Sequence, residues 1–176
     1  MSAITNWAGL PAQGQLHGNA CWAACLSWWL KAMRGGRPVW DQKTIMKEYW
    51  RSIDDNGAMR PEYMVNSWCN DTRLKMSTCL WPTPDPDLYS LPLGSTPVCI
   101  AFKHITGFAH MNVIFEQSGG FVWAMEPYFP FPGQDGKRTG RIVKREIGDY
   151  NFGDNVVLGW GRPADGRDTK RPDEAG

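Results

Sequence analysis

The stretch Gln15-Leu16-His17-Gly18-Asn19-Ala20-Cys21 places a side-chain amide six residues ahead of a thiol. The thiol falls where a helix should begin. Asn19 is a good N-cap, and no Gly or Pro interrupts Ala20 to Met33. A helix N-terminus offers unpaired backbone N–H groups and the positive end of a dipole, which favour thiolate over thiol. A thiolate attacks carbonyl carbon. The Gln15 amide and the backbone N–H of Cys21 then make a pair of donors for the developing oxyanion. Losing one such donor typically costs about 100- to 1000-fold in rate. The chemistry these residues suit is acyl transfer through a thioester.

That chemistry needs a base, and the chain has three histidines. His17 lies too close in sequence to reach over the helix start and is read as flanking the loop. His104 follows the β-like run Val98 to Phe102. His110 follows Thr106-Gly107-Phe108-Ala109 and opens the run Met111 to Phe115. A loop-to-strand junction holds an imidazole firmly toward a cleft, so His110 is preferred and His104 is the alternative. Glu126 is read as the group that orients the ring and favours its charged form. It ends the next strand, one hairpin away, and Pro127 stops that strand. In an antiparallel pair, the start of one strand lies beside the end of its partner. Cys25 lies one turn after Cys21 and is read as core. A disulfide between the two fits regular helix geometry badly, and a metal site built on them lacks a fourth ligand with sensible spacing.

The elements that must hold these groups divide the chain. The first half reads helical. Trp22, Leu26, Trp29, Leu30 and Met33 recur at helical spacing, and Gly35-Gly36 stop the helix. A second helix is predicted from Asp41, its cap, to about Ile53, with Ile45, Met46, Tyr49, Trp50 and Ile53 inward. A third follows Arg60, with Pro61 in its first turn and Met64, Val65 and Trp68 inward. Trp81 to Pro97 carries five prolines and reads as an ordered loop. Then come β-like runs at Val98 to Phe102, Met111 to Phe115, Phe121 to Met125, Arg141 to Glu146 and Val156 to Trp160. Ser118-Gly119-Gly120 joins two of them as a hairpin turn. The expected fold is α+β, with N-terminal helices packed on a C-terminal antiparallel sheet and the active-site cleft between them. A single domain is expected over residues 1–162. The charged tail 163–176, with no large apolar residue, is expected to be disordered.

Composition bounds the rest. The chain has 176 residues, enough for one domain with a real core. Nineteen basic and eighteen acidic residues give a net charge of +1 with no basic stripe, so no nucleic-acid partner is expected. Ten tryptophans exceed what so small a core should hold, so some are expected to line a groove or interface. Five cysteines leave at least one thiol unpaired, and none has zinc-finger spacing, so no metal or cofactor is expected. Met1 to Leu10 lacks the form of a Sec signal peptide. The run Ala20 to Leu26 is too short to span a bilayer, so a soluble protein made in the cytosol is expected, with no membrane partner.

Gln15 with five residues before Cys21-Trp22, Gly107-Phe108-Ala109-His110 opening a strand, and Glu126-Pro127 one hairpin later together resemble the papain-like cysteine peptidases. The likeness is greatest to their compact bacterial branches, the bacteriocin-leader-processing peptidases and the papain-like effector toxins. It covers Gln15 to Pro127. The resemblance implies Cys21 as nucleophile, His110 as general base and acid, Glu126 as orienter and Gln15 in the oxyanion hole. It implies a protein or peptide substrate. The effector branch further implies export by a dedicated secretion system and an inhibitory immunity partner in the producing cell. The family usually has Asn or Asp at the third position, where this chain has Glu126.

Overall fold

The computed structural model describes residues 7–36, 39–82, 92–151 and 155–162. The predicted tail 163–176 and residues 83–91 of the predicted loop lie outside them. Three helices, α1 (Cys21–Met33), α2 (Gln42–Glu48) and α3 (Pro61–Asn70), precede a six-stranded antiparallel sheet. Its strands are β1 (Met76–Pro82), β2 (Val98–Lys103), β3 (Ala109–Ser118), β4 (Phe121–Glu126), β5 (Arg141–Glu146) and β6 (Asn155–Gly161). They lie in the order β1-β6-β2-β3-β4-β5. The architecture is α+β.

The centre of the fold is α1. It was expected to bury one stripe. Instead Trp22 through Leu30 and Ala32 are all buried, which leaves Cys21, Lys31 and Met33 at its ends. A helix apolar on every side must be enclosed on every side. α1 packs on β2 and β3 behind it and on α2 in front. Its indoles find carbonyl acceptors: Trp22 Nε1 donates to Gly57 O at 2.9 Å, Trp28 Nε1 to Pro11 O at 3.0 Å and Trp29 Nε1 to Pro97 O at 2.8 Å. The core on this face of the sheet joins the helices to Cys99, Met111, Val113 and Met125. A second core covers the other face around Ile100, Phe102, Ile114, Leu158 and Tyr150.

Three expectations change. The cap of α1 is Ala20, not Asn19, and no side chain caps it. The Asn19 carboxamide is drawn away to donate to Asn56 O at 3.2 Å. α2 stops at Glu48, because Tyr49 leaves helical geometry and its hydroxyl is anchored on Asp71 Oδ2 at 2.7 Å. Trp50, expected inward, is therefore 63 % exposed in a short 3-10 turn, and Ile53 is extended and bridges Met59. The loop predicted from Trp81 starts inside β1, which pairs with β6 from Met76↔Gly161 to Pro82↔Asn155. As the edge strand, β1 tolerates a terminal proline. The tryptophans divide as expected: Trp22, Trp28, Trp29, Trp68 and Trp160 are buried, Trp50 is exposed, and Trp22 also lines a cavity.

Candidate active site

Cys21 is the first residue of α1 and is half-buried. Its position depends on the loop before it. The backbone N–H of Gln15 donates to Pro127 O at 3.0 Å, which ties this loop to the end of β4. The Gln15 side chain is buried and its Nε2 donates to His17 O at 2.8 Å and Gly18 O at 2.9 Å. From the other side, buried Gln42 donates to Gly14 O at 2.7 Å and accepts from Leu16 N at 3.1 Å. The N–H groups of the first turn of α1 have no intrahelical partner, and no side chain caps them.

His110 is the second residue of β3, opposite Phe102 on β2. Its ring is buried, packed edge-on against Phe102, Phe108 and Tyr128. Nε2 meets Glu126 Oε1 at 2.6 Å, and the ring shares a cavity with the Cys21 side chain, near enough for the sulfur to act on its charge. With Nε2 occupied, Nδ1 is the ring atom left for the sulfur. The extra methylene of Glu126, compared with Asp, is accommodated without loss of this contact.

Glu126 is the most heavily supported side chain of the site. Oε1 accepts from His110 Nε2 and, at 2.7 Å, from Tyr128 N. Oε2 accepts from Asn112 Nδ2 at 2.9 Å and Arg145 Nη2 at 2.6 Å. Asn112 is fully buried and in turn accepts from the Tyr150 hydroxyl at 3.1 Å. A carboxylate has about four lone-pair sites, and all are taken.

The charges follow from these contacts. Burial opposes a charged imidazole and is the largest single influence on His110. The hydrogen bonds and charges of Cys21 and Glu126 outweigh it and raise the ring to about 9. Burial likewise opposes a charged Glu126, yet its hydrogen bonds to His110, Asn112 and Tyr128 N bring it down to about 2. At neutral pH the pair is imidazolium and carboxylate.

Cys21, His110 and Glu126 are thus brought together. Gln15 belongs to the loop that delivers Cys21, but both of its amide hydrogens are committed to carbonyls, and its Oε1 has no hydrogen-bond partner among the described residues. His104 pairs instead with Thr106 Oγ1 at 2.8 Å and lines a cavity that Cys21 does not. Cys25 is core: its thiol donates to Met111 O at 3.4 Å, and burial pushes it well up from the ordinary thiol range. Cys21, Cys25, Cys69 and Cys99 are free thiols.

Three supporting residues went unread in the sequence: Asn112, Arg145 and Tyr150. The signal for Asn112 was present, since a carboxamide two residues after His110 shares its face of the strand and interrupts an apolar run. Arg145 and Tyr150 carry no such mark.

Two cavities meet at His110. One, of about 320 Å³, is lined by Cys21, Trp22, Met59, Met64, Phe102 and His110 among others. The second, of about 250 Å³, is walled by aromatic rings and contains Glu126 and Arg145 but not Cys21. Among the described residues, no cluster of three His, Cys, Asp or Glu side chains is placed to hold a metal ion, and no helix is long and apolar enough to cross a membrane. No model of a known protein family matches the chain, and no curated protein matches it in a sequence search.

Proposed function

We propose that the protein is a papain-like cysteine protease that cleaves protein or peptide substrates through a thioester. The observation that carries this reading is the Cys21–His110–Glu126 line, with its carboxylate held by four donors at the edge of an open cavity. In the proposed cycle the Cys21 thiolate attacks the substrate carbonyl. The resulting oxyanion is met by the N–H groups at the start of α1. Gln15 adds its amide if the loop releases one carbonyl. The tetrahedral intermediate collapses as the His110 imidazolium gives its proton to the leaving amine, which leaves a thioester on Cys21. The neutral imidazole then takes a proton from water, the hydroxide attacks the thioester, and the acid product leaves as thiolate and imidazolium reform. Glu126 stabilises the imidazolium and keeps its Nδ1 turned to the sulfur.

Deamidation and acyl transfer to an amine use the same thioester. One experiment separates them. Lysate proteins exposed to wild type and to Cys21→Ala are compared by mass spectrometry. New termini indicate proteolysis, a gain of one mass unit at Gln or Asn indicates deamidation, and cross-linked peptides indicate transfer. Identical spectra for the two proteins sink the enzymatic reading and favour a non-catalytic binding module. An effector role follows only from the family resemblance. It requires that unprotected cytosolic expression of wild type, but not Cys21→Ala, arrests growth.

A further inference from the structure

The second cavity borders the His110 imidazole and Glu126 but not the Cys21 sulfur. Phe108, Tyr128 and Phe131 form a continuous wall, with centroids 5.1 to 6.4 Å apart, and His104 stacks on Phe108 at 4.8 Å. The Arg138 guanidinium fixes Tyr128, 4.3 Å over its ring. Phe131 is 63 % and Phe108 37 % exposed, so apolar surface stands open at the mouth. That is a cost a folded protein avoids unless something covers it.

We propose that this cavity is a substrate subsite on the leaving-group side of the scissile bond, and that it takes an aromatic side chain, phenylalanine or tyrosine, of a peptide. The assignment of the side rests on the hydrolase reading. After attack the acyl part stays on the sulfur, whereas the leaving amine receives its proton from the imidazole. A cavity that borders the imidazole but not the sulfur therefore lies along the leaving chain. Its size argues for one side chain, since sites for whole small ligands run from about 300 to 1,000 Å³ and this one is about 250 Å³. Its walls argue for a ring, because aromatic pairs gain beyond their area. Its charges exclude a cation. Arg145 lines it, and the one carboxylate, Glu126, has no lone pair left to offer.

The test uses two readouts. In the first, a proteome-derived peptide library is digested with wild type and with Phe131→Ala. Phe and Tyr should be enriched at one position C-terminal to the cleaved bond. Phe131→Ala should lower kcat/KM for such peptides about fivefold, as loss of one ring contact implies, and flatten the preference. In the second, saturation-transfer NMR follows phenylalaninamide and lysinamide with Cys21→Ala. The phenyl protons should saturate, Phe131→Ala in the same background should weaken the effect, and lysinamide should show none. Cleavage without aromatic enrichment on that side overturns the subsite. Absence of Cys21-dependent cleavage with Phe131-dependent saturation retained overturns the hydrolase reading and leaves the aromatic site standing. Absence of both overturns both.

Discussion

His110 Nε2 and Glu126 Oε1 lie 2.6 Å apart, and neither group is free to turn, because the ring is wedged among aromatics and the carboxylate is held by three further donors. The pair fixes which ring nitrogen meets the sulfur. Glu126→Gln keeps the shape but removes the charge that helps hold the imidazole at about 9. In wild type, activity should fall as pH rises through about 9, where the ring loses the proton that the leaving group needs. In Glu126→Gln the ring gives up its proton more easily, so this alkaline limb should move to lower pH and the maximal rate should drop about 100-fold or more. A pH–rate profile of both proteins on one peptide decides it. An unmoved limb rules out Glu126 as the orienter.

The same shifts make stability depend on pH. His110 is raised from 6.5 to about 9, so its contribution is complete below pH 6.5 and is lost as pH climbs toward 9. Glu126 is lowered from 4.5 to about 2, so its contribution is complete above pH 4.5 and is lost as pH falls toward 2. The pair stabilises most between pH 4.5 and 6.5. Urea midpoints measured across pH should show both flanks in wild type. In Cys21→Ala the alkaline flank should flatten, since one of the groups raising His110 is gone, while the acid flank should survive.

Thiol reactivity distinguishes Cys21 from the rest. It is half-buried and opens on a cavity that the His110 ring also lines. Cys25 and Cys99 are fully buried, and burial pushes both thiols well up. With iodoacetamide at mildly acidic pH, peptide mapping should find label on Cys21 first and on Cys25 and Cys99 only after denaturation. Labelling of Cys21 no faster than of Cys69 or Cys79 would contradict an activated nucleophile.

The site was more legible than the fold around it. Cys21, His110 and Glu126 announce themselves because each stands at a boundary that local rules predict: a helix start, a strand start and a strand end before proline. The cap was misjudged because Asn19 is a good cap by propensity, and a tertiary acceptor, Asn56 O, outbids that local preference. β1 was hidden because its partner, β6, lies at the other end of the chain, and no local pattern reports a pairing at that distance. Arg145 was unreadable for the same reason, since only the β4–β5 ladder brings it to Glu126. A stripe was expected on α1 from the spacing of Trp22, Leu26, Trp29, Leu30 and Met33, but the face that carries Ser27 is buried as well. The segments Gln13 and Trp40 cover that face, with Ser27 Oγ donating to Trp40 O at 2.8 Å.

Gln15 separates two roles that the sequence cannot. As placed, its amide braces the loop through two carbonyls in a buried setting. Gln15→Ala should therefore cost about 1–3 kcal/mol of stability, the range for leaving buried partners unsatisfied. Gln15→Glu should cost more, because a carboxylate oxygen would face two acceptors. Thermal unfolding checks both. If both variants unfold like wild type and only kcat falls, the amide serves the oxyanion and not the loop.

The last relationship is between the loop before Cys21 and the segment after Glu126. Gly14 passes so close to Arg138 that a Cβ there would lie 1.8 Å from the Arg138 carbonyl oxygen and 2.7 Å from Thr139 N. Both are backbone atoms and cannot swing aside. Next to this contact, Gln15 N bonds Pro127 O and Gly136 N bonds Leu16 O, so the two segments are zipped where the nucleophile and the acid are both positioned. Gly14→Ala must part them. It should destabilise by roughly 3 kcal/mol, the upper part of the usual range for overpacking, and slow Cys21 alkylation as well. Gly94→Ala is the control, since it is exposed with nothing within 4 Å of the added carbon. It should stay within about 0.5 kcal/mol of wild type. Equal melting temperatures for the two variants would mean that the zipped segments do not hold the site together.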